Sequence, residues 1–514
     1  MSISLSTPIV YETQLHFQPP LPDVKGCKEY DDYKSQLERI DHFLDQSRTE
    51  ARFLEESVKD LISKAQKDGR EPKLSQIGRY RQQSRLALRG NIARILVGES
   101  LRGFTARLAE SALLQRFCGL AEIEGVQVPG KSTVQRWNQW LPEERMNELT
   151  RDLLKQCSGG EWTEALGDEL DLQVIFMDTT CLKADIHFPV DWVLLRDGVR
   201  TLMNAVMRIR EHGLKHRMED PEKFLSQINK MCMEMTQNRG GEDGKKARKK
   251  VVRRMKVLVG RVEEHAQRYR DLLEEKWETT DLSQGRAQQF IDRIDDILDQ
   301  MPAAKKQAHE RIIAERKVPN EEKILSLYES EIEVMVRGKA GAKVEFGNKL
   351  FLGENPQGLI LDWLLFDKGS PSDSKLVRES VERTENSYGV ELVAASGDRG
   401  FSSKANQNYL EEKEIFDGIC PKNPRELKAR LEEDEVLGDC LKRRAQTEGR
   451  IGIFKNCFTG NPMKVKGLPG KKRAVTWSVL THNLWVLARM SLAAEKRKKQ
   501  EQTQQEELLQ KLAA

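Results

Sequence analysis

Leu172-Gln173-Val174-Ile175-Phe176-Met177-Asp178-Thr179-Thr180 is the stretch on which the fold turns. Its unbroken apolar run, Val174 to Met177, reads as a buried strand over residues 172–178 that closes on an acid. A second apolar run, Leu392-Val393-Ala394-Ala395, leads to another acid in Ser396-Gly397-Asp398-Arg399-Gly400-Phe401. A third acid, Glu448, lies in a helical stretch, Lys442 to Lys455. Arg444 precedes it by four residues and Lys455 follows it by seven. At 3.6 residues per turn these three share one helix face.

Working outward, residues 1–27 hold Pro19-Pro20 and Pro22 and read as extended or disordered. Tyr33, Leu37, Ile40, Leu44, Ser47, Ala51, Leu54, Val58 and Leu61 alternate by four and three, predicting one long heptad-patterned helix. Such a seam suits pairing of two protomers as well as packing within one chain. Helices follow over Ile77 to Val97 and Phe104 to Phe117. Ser132 or Thr133 then caps a short helix, Val134 to Trp140, bearing Arg136, Asn138 and Gln139. Helix, loop and second helix suit a helix-turn-helix in which Arg136 faces DNA, and equally an ordinary helical core.

Beyond the first acid, residues 196–320 turn almost wholly helical and charged. Strand signals return at Ile332-Val336, Lys343-Phe346, Lys349-Phe351 and Leu359-Phe366, with Gly347 as a turn. A helix (Ser372 to Glu385), the strand before Asp398, a helix (Lys404 to Glu414) and a strand (Phe416 to Cys420) come next. An apolar helix over Val475 to about Leu492 and a polar helical tail (493–514) close the chain. The order predicts an α/β protein: a mixed sheet from 166–195 and 321–492, a large all-α insertion at 196–320, and a helical N-terminal region at 28–165.

With 85 Lys+Arg against 81 Asp+Glu, the net charge of +4 announces no partner. Only the distribution does, as in the basic run Lys245 to Lys256, which follows phosphates or is a self-compensated helix. Eight cysteines stand singly without a CxxC pair, which fits a reducing cytosol and gives no support to a zinc site. No secretory signal is visible and no apolar run approaches the roughly 20 residues of a membrane span.

The chemistry follows from the acids. Mg²⁺ prefers hard oxygen ligands and keeps several waters, so a few convergent carboxylates suffice to hold it. Two strand-end aspartates and a helical glutamate suit a two-metal site that cuts and joins phosphodiesters. Taken singly, each signal has an ordinary reading: a solvated turn aspartate, or an exposed i,i+4 ion pair between Arg444 and Glu448.

Together these residues resemble the DDE triad of bacterial insertion-sequence transposases. Arg444, Glu448 and Lys455 are spaced as in the Tyr-Arg-Glu-Lys signature of one large branch, with Leu441 standing where the Tyr would be. The blocks MDTTCLKADIHFPVDWVLLRDGVR, RGKAGAKVEFGNKLFLG and SGDRGF resemble the ISNCY-like group, as do FTARLAESALLQRFCGL and GKSTVQRW. The resemblance spans about residues 77–490.

It implies an RNase H-like catalytic domain and two Mg²⁺ ions, replaceable by Mn²⁺, held by Asp178, Asp398 and Glu448. It further implies Arg444 and Lys455 on the backbone of the element's end. The substrate would be double-stranded DNA, both the terminal repeats and the target, cut and transferred by a homodimer at the bacterial nucleoid. Two other readings compete: a non-catalytic DNA-binding regulator derived from a transposase, and a P-loop ATPase. The latter rests on Gly125 to Ser132, which matches GxxxxGK[ST] but lacks a preceding apolar strand. Trp277 in the insertion suits base stacking or plain packing, and His187 and His482 receive no role.

Overall fold

The computed structural model describes residues 20–120, 125–238, 240–339 and 342–513. Most of the proline-rich N-terminus therefore lies outside the described residues. The first helices are α1 (Lys28–Gln46) and α2 (Thr49–Lys67). The heptad pattern is thus carried by two helices, not one. Arg48 adopts a left-handed conformation (φ 58°), and the Ser47 hydroxyl bonds back to the Phe43 carbonyl at 2.5 Å, which ends α1. The seam residues Leu37, Ile40, Leu44, Leu54 and Val58 are buried within this chain.

Next come α3 (Leu74–Val97), α4 (Leu101–Glu110), α5 (Ala112–Cys118), α6 (Lys131–Trp137), α7 (Glu143–Cys157) and α8 (Thr163–Leu166). The expected Phe104–Phe117 helix is split at Ser111, whose hydroxyl caps α5. Helix α6 starts at Lys131 with Gly130 as its N-cap, earlier than Ser132 or Thr133 would have set it.

The sheet begins with β1 (Val174–Lys183), which runs five residues past Asp178. Asp178 is therefore a mid-strand residue. The extension exists because β1 pairs antiparallel with β3 all the way from Phe176–Glu354 to Lys183–Gly347. After β1 come α9 (Asp191–Glu211), α10 (Pro221–Gln237), α11 (Gly241–Lys276) and α12 (Gln284–Ala308). A single π-helical turn follows at His309–Ile313. This helical block packs around its own core, with Val206, Phe224, Val252, Tyr269 and Ile294 among its centre. Its neck is closed by Asp191, whose buried carboxylate accepts from Gln307 (2.9 Å) and Arg311 (2.8 Å).

The chain returns through β2 (Glu333–Lys339), β3 (Ala342–Glu354) and β4 (Ile360–Leu365). Gly347 is not a turn. It sits inside the long β3, where a Cβ would meet the Leu182 carbonyl oxygen at 2.1 Å, so only glycine permits this approach of β1 and β3. Then follow α13 (Leu376–Tyr388), β5 (Ala394–Gly397), α14 (Lys404–Glu412), β6 (Phe416–Ile419), α15 (Pro424–Glu433), α16 (Glu435–Ile453) and α17 (Leu468–Ala513).

Among the described residues the six strands form one mixed sheet in the order β2-β3-β1-β5-β6, with β4 also on β3. The β1–β3 and β3–β4 pairings are antiparallel, and β1–β5 and β5–β6 are parallel. Ile175, Met177 and Phe351 face α13 and α14 through Leu376, Val381 and Leu410. The other face carries Leu350 and Leu352 into a core shared with α17 and the N-terminal helices. There Asn483 of α17 clamps both the amide and the carbonyl of Ile360, each at 2.9 Å. No helix among the described residues is long and apolar enough to cross a membrane.

Candidate functional site

Alternation along β1 puts Phe176, Asp178 and Thr180 on one face, and α16 with its π-helical extension (Phe454–Thr459) runs along that face. Arg443 lies over the Phe176 ring at 4.8 Å. The next residue, Arg444, donates to Glu448, one turn further along, at 3.0 Å. Lys455, in the extension, donates to the Thr180 hydroxyl at 3.1 Å.

Asp398 arrives from the neighbouring strand. Met177 pairs with Gly397 in the parallel β1–β5 ladder, so Asp178 and Asp398 are the next residues on adjacent strands. Each aspartate is braced by a backbone amide just after it. Asp178 accepts from the Thr179 amide (2.7 Å) and Asp398 from the Gly400 amide (2.7 Å). The five residues Asp178, Asp398, Arg444, Glu448 and Lys455 thus gather at one rim of the sheet.

The electrostatics agree. The Asp178 carboxyl is pushed up from 3.8 to about 6, first by burial and further by the charges of Asp398 and Glu448. The Thr179 amide and the Arg444 guanidinium pull the other way. An acid desolvated beside two more acids is one that a cation would relieve. Arg444 also keeps its Nε buried without a hydrogen-bond partner. Among the described residues no three His, Cys, Asp or Glu side chains stand close enough together to hold a metal ion. Glu448 is turned to Arg444 and is more than half exposed, at 56%. The hard oxygen donors fit Mg²⁺, which tolerates an open set because it retains water.

Two groups had escaped sequence reasoning. Glu354, buried on β3 opposite Phe176, accepts from Arg443 (3.0 Å) and Thr447 (2.8 Å) and pairs with Arg450 (3.5 Å). This clamp fixes α16 on the sheet and so fixes where Glu448 stands. The spacing Arg443, Thr447, Arg450 is itself a one-face signal, hidden because Arg443 reads as one more charge beside Arg444. The second is Asp373, which accepts from Thr179 (3.1 Å) and Lys349 (2.5 Å). A Cβ on Gly400 would lie 2.7 Å from Asp373 Oδ2 and 2.9 Å from Asp398 Oδ1, so these two acids press on the same glycine.

The remaining candidates lie elsewhere. Arg136 is on the exposed side of α6 in the N-terminal region, hydrogen-bonded to Thr133 at 3.3 Å, while Val134 and Trp137 of that helix are buried. Trp277 is half-buried against the insertion's core. His187 binds Asp197 at 2.7 Å. His482 is buried among Phe454, Phe458 and Trp485, which lowers it to about 4. Helix α5, not a strand, is the nearest described element before the GxxxxGK[ST] stretch, whose Ala121–Glu124 neighbour lies outside the described residues.

The site is thus a mixed sheet with acids on adjacent strands, faced by a helix that carries a third acid and two cations. Residues 317–484 match the family model described as "Transposase DDE domain". The matched segment holds Asp398, Arg444, Glu448 and Lys455, and Asp178 lies before it. Searches of curated proteins and of solved structures gave no match.

Proposed function

We propose that this protein is a transposase that cuts DNA at the ends of a mobile insertion sequence and joins the freed ends to target DNA, with Mg²⁺ held by Asp178, Asp398 and Glu448. The observation that carries the reading is the raised Asp178 carboxyl, desolvated and flanked by Asp398 and Glu448, two acids inside the segment that matches the family model. The mixed sheet is compatible with an RNase H-like catalytic domain. The ions, when bound, supply activation of water or a 3′-hydroxyl and stabilise the departing oxygen.

The chain's own groups do the rest. Asp178, in its ionised form, would hold a cation, with one carboxylate oxygen kept in place by the Thr179 amide. Arg444 exchanges its Glu448 partner for a phosphate oxygen, which frees the glutamate for the site and uses the guanidinium's fork. Lys455 places a positive charge over the middle of β1. The N-terminal helices, with Arg136 outward, grip the terminal repeats, the helical insertion is a separate unit, and two protomers pair the ends.

The test is cleavage of the cognate terminal sequence by the full chain in Mg²⁺ or Mn²⁺. Asp178→Ala, Asp398→Ala and Glu448→Ala should each abolish nicking and leave end binding largely intact. A triple variant that still cuts rules out this site, and a wild-type protein that binds ends without nicking in any divalent metal favours the regulator reading. No observation favours the ATPase.

A further inference from the structure

The neck of the helical insertion carries an open concavity of about 500 Å³ lined by Lys256, Pro302, Lys305, Lys306 and His309. It lies between the basic half of α11 and the end of α12, where the π-helical turn begins. Isolated π turns of this kind cluster at functional positions. Half of the cations of the basic run are already neutralised: Lys245 pairs with Glu242, Lys246 with Asp243, Lys249 with Glu315 and Arg254 with Glu234, and beside the run Lys305 of α12 pairs with Glu263.

Among the described residues Arg248, Lys250, Arg253 and Lys256 of the run, and Lys306 of α12, have no carboxylate within ion-pair distance, and the Lys256 ammonium donates to His309 Nδ1 at 3.5 Å. Lys256 and Lys306 thus line the concavity with no carboxylate paired to either, which makes a place that an anion stabilises. Arg253 continues the charge one turn along α11, about 4.5 Å of rise, so the positive surface is a track and not a closed pocket.

The insertion leaves and rejoins the sheet beyond the end of β1, the strand that carries Asp178. We infer that this neck groove is a second DNA contact, in which Arg253, Lys256 and Lys306 hold the phosphate backbone of duplex entering or leaving the catalytic rim. The inference rests on the DNA-processing reading above. An elongated track of unpaired cations suits a backbone, with its regularly spaced charges, better than a single small anion. Contacts of this sort position a duplex and carry no sequence information.

The experiment is duplex binding by fluorescence anisotropy between 50 and 200 mM KCl, using full-length protein, an element-end duplex and an unrelated duplex. Lys256→Gln/Lys306→Gln should lower the salt slope by about 2 for both duplexes. The affinity lost between those salt concentrations should then shrink by about tenfold. Lys256→Arg/Lys306→Arg should keep the wild-type slope. Unchanged binding by the Gln variant, with wild type binding and cutting DNA, overturns the inference and spares the proposed function. A wild type that binds neither duplex overturns both. Binding of inorganic phosphate lost in the Gln variant, without any change in duplex binding, makes the groove a small-anion site and overturns the backbone assignment.

Discussion

Asp178→Asn should make the metal-free protein more stable while making it inactive. Asparagine is nearly isosteric and keeps the oxygen that accepts the Thr179 amide at 2.7 Å. It removes only the charge that burial, Asp398 and Glu448 disfavour. Because the folded Asp178 binds its proton more tightly than the ordinary value of 3.8, the native state holds more protons between that pH and about 6. Wild-type stability therefore falls as pH rises through this window.

At 1.36 kcal/mol per pH unit, the variant's advantage grows from about 1 kcal/mol at pH 4.5 to an upper bound of about 3 kcal/mol at pH 7.5. Urea unfolding in EDTA at both pH values measures it. Mg²⁺ should then stabilise wild type and not the variant, since only wild type gains from binding the ion. A variant no more stable than wild type at pH 7.5, or a gap equal at the two pH values, refutes the picture of a repelled, desolvated carboxylate.

Glu354→Gln should cost on the order of 2–3 kcal/mol in urea unfolding, because it leaves Arg443 and Arg450 without their buried counter-charge. It should also lower cleavage by loosening the seat of Glu448. Gly400→Ala should cut the nicking rate about tenfold or more with little change in end affinity, since its methyl group must displace Asp373 or Asp398. Single-turnover kinetics beside anisotropy separate the two effects, and an unchanged rate would free Asp398 from this constraint.

The sequence disclosed the sheet's logic better than its edges. Asp398 stands just past the end of β5, as the Leu392–Ala395 run foretold. Asp178 was placed at a strand end because Thr179 and Thr180 look like a turn, whereas pairing to the long β3 carries the strand onward to Lys183. The same long-range pairing turns Gly347 from an apparent turn into a strand residue, a property of the Leu182 carbonyl and not of local sequence. Likewise the heptad rhythm survives the Ser47–Arg48 break because both helices bury their stripe in one core, so periodicity alone could not reveal the bend. Arg444, Glu448 and Lys455 were legible because one helix face orders them. Glu354 was not, because its partners are roughly ninety residues away.

The closed neck of the insertion has an engineering consequence. Asp191 at the start of α9 is held within hydrogen-bond distance of Gln307 and Arg311 at the other end of some 120 residues. The block's entry and exit are therefore nearly coincident, and its interior is filled by its own side chains. A short Gly-Ser bridge across the neck would span the gap without stretching β1 or β2. Such a miniature would separate the sheet and its three acids from whatever the insertion contributes, turning one chain into two independently assayable parts.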